Sequence, residues 1–319
     1  MFDHLKLISA ALILPLLFAA CRFPPSLTEP ETTAPPAAGE TPEAVWDPMA
    51  GALEPPSENG ERAIKKTLYF ASDEGYLLPV SLEIPWEDGI AMACLTRLRG
   101  DGETGARLER NGLCAPIPSG TGIKLAIAGG EAVVDLVGMS ELPDSRSERN
   151  LFAAIVNTLI EFSSVDTVTV LLDGSGDRTA HGVEPPKSSG RIDINTEDSE
   201  LPTSGSAKAL TLFFPNRSAS HFIPVTRYSS ADGLYAAISA LADGTKLAGL
   251  IGCFPENTIV LGAAVENGLL TVDLTSDFEK IAETPVMYDL AMHTVLLTAE
   301  QYASVDEIRF TVNGTPFEP

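Results

Sequence analysis

Few residues in this chain could do chemistry, and their spacing decides what that chemistry could be. There are four histidines, His4, His181, His221 and His293. The first lies in an apolar leader and the second in a polar tract, which leaves His221 and His293 for the folded parts. Neither has a His, Cys or carboxylate partner at the spacing of a zinc site, such as H-x3–5-H or C-x2-C. His293 stands between apolar positions of a helical pattern, so a partly buried structural role is expected. The cysteines are Cys21, Cys94, Cys114 and Cys253. Cys94 reads as a small core hydrophobe. Cys114 and Cys253 occupy matching loops, each followed two residues on by a proline. Leaving Cys21 aside, at most one internal disulfide can form, and Cys94–Cys114 is sterically the simplest. A thiol nucleophile would want a nearby histidine to lower its pKa, and the supply is too thin.

The remaining candidates are polar loops. Pro118-Ser-Gly-Thr-Gly122 is glycine-rich but lacks the Gly-Lys-Ser/Thr ending of a phosphate loop, and no G-x-S-x-G elbow is present. Asp173-Gly-Ser-Gly-Asp177 could offer oxygens to calcium, yet it lacks the alternating ligands and distal glutamate of an EF-hand loop and reads as a turn. Arg99-Gly100-Asp101 reads as a loop tripeptide. Asp135 and Asp273 match each other, but they lie in different halves of the chain, each ending a strand where Asp commonly bonds a turn. No catalytic, cofactor-binding or metal-ligating residue is assigned, and the chain is not expected to be an enzyme.

The surroundings of these residues set the class. The 319 residues carry a net charge of −23, from 21 basic and 44 acidic side chains. Such a surface repels phosphate backbones, so nucleic acid is excluded as a partner, and charged partners should be basic proteins or divalent cations. Residues 7–20 form an apolar run shorter than the ~20 residues a spanning helix needs. Phe18-Ala19-Ala20-Cys21 ends it in the manner of a bacterial lipobox, so Cys21 is the expected lipidation site and residues 1–20 the signal peptide. An extracytoplasmic protein held to the cell membrane by a lipid anchor follows. Residues 21–63 are then a disordered proline-rich, acidic tether, reaching on the order of 120 Å at ~3.1 Å per residue if fully extended. A second tract of this kind, 175–207, reads as an interdomain linker.

Between and beyond these tracts the chain says the same thing twice. SVDTVTVLLDG at 164–174 returns as SVDEIRFTVNG at 304–314. Thr67-Leu-Tyr-Phe is matched by Thr211-Leu-Phe-Phe, and Asp88-Gly89, whose aspartate is the expected N-cap of a helix, by Asp232-Gly233. Gly129-Gly130 and Asn267-Gly268 each join two alternating apolar runs, as tight hairpin turns require. A second helix follows in each copy, with a possible capping box at Ser145 and Glu148 in one and Thr284-Pro285 in the other. Residues 64–174 and 208–319 therefore each read β-β-α-β-β-α-β. The expected fold class is α+β, two tandem two-layer sandwiches with two helices on one face of a small mixed sheet.

The turn Pro118-Ser119-Gly120-Thr121, the strands Val134-Asp135-Leu136 and Val272-Asp273-Leu274, the helix Ile155-Val156-Asn157-Thr158-Leu159 and the strand Val168–Gly174 resemble the GerMN domain family. In the second copy Pro255-Glu256-Asn257-Thr258 departs from the turn pattern. Two such domains behind a lipobox and a tether look like the GerM-like sporulation and germination lipoproteins. The resemblance implies domains similar to ring-building modules, a non-enzymatic scaffold role, and assembly with itself or with envelope proteins between mother cell and forespore. The other readings left open are a cell-envelope enzyme or enzyme accessory, such as a cell-wall hydrolase partner, and a ligand-binding lipoprotein with a large apolar pocket between the domains.

Overall fold

The computed structural model describes residues 63–86, 89–197 and 207–319. The signal peptide and tether expected before Ala63, with Cys21, lie outside the described residues, as do Asp88 and residues 198–206.

The first repeat opens with a hairpin of β1 (Ala63–Ser72) and β2 (Leu77–Pro85), paired antiparallel from Ala63 opposite Pro85 to Ala71 opposite Leu77. Alternation sends Leu68, Phe70, Val80, Leu82 and Ile84 inward. Helix α1 (Ile90–Arg97) starts from Gly89, whose φ of 88° suits glycine, and buries Ala91, Cys94 and Leu95. A short helix α2 (Gly102–Arg110) and strand β3 (Leu113–Cys114) follow. Strand β4 (Gly122–Ala128) then pairs antiparallel with β5 (Glu131–Val137), and helix α3 (Ser145–Ile160) crosses over to β6 (Thr167–Leu172), parallel to β5.

The second repeat has β7 (Lys208–Pro215), β8 (Phe222–Ser229), α4 (Leu234–Ala242), β9 (Val260–Glu266), β10 (Leu269–Leu274), a 3₁₀ segment (Ser276–Glu283), α5 (Pro285–Ala299), β11 (Glu307–Val312) and β12 (Thr315–Pro316). Its crossover is the same: β10 and β11 are parallel through α5. The registers also agree. Val134 faces Val170 in one repeat, and Val272 faces Phe310 in the other. The architecture is α+β as expected, with one refinement. The strands of each repeat pair as two small sheets rather than one, β2-β1-β3 with β4-β5-β6, and β7-β8 with β12-β11-β10-β9. Both sheets of a repeat nevertheless feed one core.

Three local expectations are corrected. The Ser145–Glu148 capping box does not form. Asp144 caps α3, its carboxylate accepting from the Ser147 amide at 2.7 Å, and Glu148 is buried elsewhere. At α4 the N-cap is Gly233; the Asp232 carboxylate accepts only from the adjacent Gly233 amide. The tract 175–197 is not a free linker. Val168 and Ser189 exchange both backbone hydrogen bonds at 2.9 Å, and the segment continues along the first repeat as a strap. At α5, Thr284 is the N-cap and Pro285 the first helical residue, as the sequence suggests, although the Thr284 hydroxyl makes no cap hydrogen bond.

The divergent turn of the second repeat is the same turn. The Thr121 amide donates to the Pro118 carbonyl at 3.3 Å, and the Thr258 amide to the Pro255 carbonyl at 3.2 Å. Asn257 has φ 67° where Gly120 has φ 77°. Asn is the side-chain-bearing residue that best tolerates this left-handed conformation, so the change in sequence leaves the backbone intact.

Candidate functional site

The reactive residues named above are dispersed and tied into structure. Cys94 and Cys253 are buried, and burial pushes their thiols up, to about 11 and about 12. Cys114 is exposed and in no disulfide, so the Cys94–Cys114 bridge does not form; its thiol donates to Asp73 Oδ1 at 3.8 Å and is raised by partial burial and then by that carboxylate. His221 Nδ1 lies 2.8 Å from the Ser220 hydroxyl, and the His293 ring stacks on Phe222 with its Nδ1 2.7 Å from the Asp289 carbonyl. Among the described residues no three His, Cys, Asp or Glu side chains converge as metal ligands would. Arg99 and Asp101 bond each other, and Asp101 also takes the Ser119 hydroxyl and the Gly120 amide, each at 3.0 Å. That tripeptide is a fastener for the Pro118–Thr121 turn. Chiefly the Gly120 amide holds the Asp101 carboxyl below its usual range.

The matched aspartates are fasteners as well. Asp135 accepts from the Gly174 amide at 2.8 Å and from Lys124 Nζ at 3.0 Å. Asp273 accepts from the Thr311 hydroxyl at 2.6 Å and the Gly314 amide at 2.7 Å. Each therefore ties β5 or β10 to the turn that ends the neighbouring parallel strand, and these bonds lower both carboxyl pKa values. The repeated Ser-Val-Asp has its own purpose. Gly130 has φ 84° and Gly268 φ 82°, and a Cβ on either would sit 2.4 Å from Asp166 Oδ2 or 2.1 Å from Asp306 Oδ2. The Asp166 and Asp306 amides donate to the carbonyls of those same glycines, at 2.7 and 2.8 Å. Hairpin and crossover are joined by these backbone bonds, with a carboxylate lying over the position a glycine side chain would take.

Polar side chains also converge on the strap. Two buried polar residues on α3 hold it. Glu148 accepts from the Thr179 hydroxyl at 2.5 Å and the His181 amide at 3.1 Å. Asn157 exchanges two hydrogen bonds with the Ile192 backbone, both 2.9 Å, the geometry of a strand pair made by one side chain. Ile192 and Ile194 pack on Ala153, Ala154, Tyr69 and Leu77, so α3 is covered on both sides.

At its far end the strap joins the repeats. Asn195, with φ 49°, accepts from the Leu77 amide at 2.9 Å and donates to the Leu77 and Pro224 carbonyls, both at 2.6 Å. Glu197 places a fully buried carboxylate on Arg227, with oxygens 2.5 Å from Nε and 2.9 Å from an Nη, and takes the Lys246 amide at 3.0 Å. Burial alone would raise the Glu197 carboxyl; the Arg227 guanidinium and the Lys246 amide outweigh it, and its pKa lies below the usual value. The Arg227 guanidinium also donates to the carbonyls of Ala240 and Gly244. Direct ties add to the clamp: Tyr76 Oη to the Ala248 carbonyl at 2.8 Å, Asn216 Nδ2 to Glu74 Oε1 at 3.0 Å, and Ile223 of the second repeat in the first repeat's core. A groove of about 790 Å³ runs here between α3, the strap and Leu247, with Arg146 and Arg149 along one wall. Sequence reasoning missed this site. Its only trace was Glu148 and Asn157, two polar residues on an otherwise apolar helix.

A model of the Germane domain, described as sporulation and spore germination, matches twice, at residues 67–177 and 211–318. The chain belongs to the Germane family. The spore germination protein GerM of Bacillus subtilis strain 168 is 24% identical over 271 residues, covering 81% of this chain and 74% of that one. Among solved structures, the tandem GerMN domains of the sporulation protein GerM from B. subtilis superpose with a TM-score of 0.59 at 23% identity, covering 80% of this chain and 92% of that one. The first GerMN domain of that protein also matches, with a TM-score of 0.37 over 40% of this chain. This Germane-family chain is thus a GerM-like sporulation and germination protein with tandem GerMN domains, and the clamp is the seam between its two Germane repeats.

Proposed function

We propose that the protein is a non-enzymatic, extracytoplasmic scaffold of the sporulating cell, lipidated at Cys21 and assembling with envelope proteins between mother cell and forespore. The observation that carries this reading is the rigid seam. Asn195 and the Glu197–Arg227 pair hold the two repeats in one orientation, which a structural part needs. Strands β4 and β9 end their sheets without a partner among the described strands; Ile127 and Leu261 stand exposed along them, and Ile259 is exposed just before β9. Such edges accept further strands or flanks from other subunits. Lys124 on β4, and the extra residue bulging at Leu261 on β9, restrict that pairing to fitting partners. The acidic surface opposes close packing of identical subunits and favours a basic partner.

The test is capture of partners from sporulating cells at low and high salt, with sedimentation of the pure protein. Envelope proteins retained at low salt and released at high salt are expected. A protein that stays monomeric at every salt concentration and retrieves no envelope partner defeats the scaffold. Fractionation of a Cys21→Ser variant checks the anchor separately, with movement from membrane to soluble fraction expected. A ligand-binding reading has one observation in its favour, the groove of about 790 Å³ at the seam, although its lining is polar as much as apolar.

A further inference from the structure

Helix α2 is poorly built for its own sake. Its nine residues include Gly105 in the interior, costing ~1 kcal/mol of helix propensity relative to alanine, and Leu108 is its one buried hydrophobic residue. It lies so close to the preceding loop that a Cβ at Gly105 would come 2.8 Å from the Gly100 carbonyl oxygen. The second repeat has no helix between α4 and β9, so the fold does not require one. What α2 adds is a wall. Between it, α1 and the β1–β2 hairpin lies a hollow of about 270 Å³.

The hollow has two kinds of lining. Phe70, Leu82 and Leu108 are apolar and buried, and they form its floor. Arg97 and Arg107, half-buried, stand at its mouth with the exposed Thr96 and Thr104. Arg97 donates to the Ala93 carbonyl at 3.3 Å, and among the described residues neither guanidinium forms an ion pair with a carboxylate. Two arginines with no carboxylate partner among the described residues stand out in a chain where acidic residues outnumber basic ones by 44 to 21. Guanidinium forks match the planar oxygens of a carboxylate or the oxygens of a phosphate. The floor asks for an apolar tail, and the volume limits the whole to roughly ten non-hydrogen atoms, at ~30 Å³ per water-sized unit.

We infer that this hollow is a binding site for a small amphipathic anion, with its charged head on Arg97 and Arg107 and a short apolar tail on Phe70, Leu82 and Leu108. The site is independent of the scaffold role and belongs to the first repeat alone.

The experiment is an NMR titration of the full chain with hexanoate and, separately, butyl phosphate, which distinguish a carboxylate head from a phosphate head. Hexanol and acetate supply the tail without the charge and the charge without the tail. Methyl resonances of Leu82, Thr96 and Leu108 should shift with one or both amphipathic anions while those of the second repeat stay still, with saturation in roughly the micromolar to millimolar range. The double variant Arg97→Gln/Arg107→Gln should weaken binding at least about tenfold. Thr104→Trp, which fills the hollow from an exposed position and leaves the core alone, should abolish it. Four results each overturn the assignment: no shifts with either anion, equal binding of hexanol, equal binding of acetate, or unchanged affinity in a variant that circular dichroism shows to be folded.

Discussion

Replacing Asn195 with glycine is the sharpest test of the seam. The side chain makes three hydrogen bonds to backbone groups, two on Leu77 and one on Pro224. Each partly buried bond contributes ~0.5–1.5 kcal/mol net, and the backbone groups left behind lose partners. Asn195→Gly should therefore cost about 2–4 kcal/mol. Glycine is chosen because φ is 49° here; alanine would add its own left-handed strain of about 1–2 kcal/mol. In a unit of this size ~1 kcal/mol moves Tm by about 2–4 °C, so a fall on the order of 10 °C is expected. Scanning calorimetry and urea denaturation read the effect. The native protein should unfold in one transition, because Ile223 completes the first core, and the variant should begin to separate into two. A cost below ~1 kcal/mol with an unchanged single transition would refute the clamp, since three bonds of this geometry cannot be lost so cheaply.

Two further outcomes follow from the geometry. Gly129→Ala meets nothing within 4 Å, whereas the Cβ of Gly130→Ala would lie 2.4 Å from Asp166 Oδ2. Urea midpoints should place Gly130→Ala about 1–2 kcal/mol below Gly129→Ala, a gap that Asp166→Ala closes; equal costs would mean that the carboxylate is not what the missing side chain accommodates. The Glu197 carboxyl has a lowered pKa in the folded chain, so its stabilisation is complete above the unfolded value of ~4.3 and is lost as pH falls through the folded value. The stability difference between the native protein and Glu197→Gln, measured from pH 7 down to pH 3, should shrink toward zero at the acid end; a difference independent of pH would show that ionisation of Glu197 is not what holds Arg227.

What could be read from the sequence was local. The hairpin dipeptides show themselves because Gly129, Gly130, Asn267 and Gly268 must all take positive φ, and few residues do so without strain. The closing strands show themselves because alternation at period two survives duplication even when Val170 becomes Phe310. Asp135 and Asp273 could be read as turn ligands because they bond groups near a strand end in both copies. The strap could not. Its proline and serine content is that of a solvated linker, and it is held by single side chains 31 to 35 positions away, Glu148 and Asn157, whose partners are mostly backbone groups of no particular sequence. The misplaced cap has the same cause. Ser145 and Glu148 have the spacing of a capping box, but burying Glu148 against the Thr179 hydroxyl and the His181 amide takes its carboxylate away from the helix end. The hollow beside α2 was hidden too, because Arg97 and Arg107 meet only once two short helices fold toward each other.

The seam also changes the arithmetic of any partner that touches both repeats. Two modules on a flexible string offer their second contact at an effective concentration set by the linker, roughly millimolar when the string is short, and the string's freedom is lost on binding. Here that freedom is already gone, because Asn195 and Glu197 fix one repeat to the other before a partner arrives. A partner whose own contacts match the spacing of β4 and β9 receives the second contact almost free of ordering entropy, and one that does not match receives none of it. In the proposed scaffold, rigidity would make the two edges a gauge of distance, selecting partners by geometry rather than by the strength of either contact.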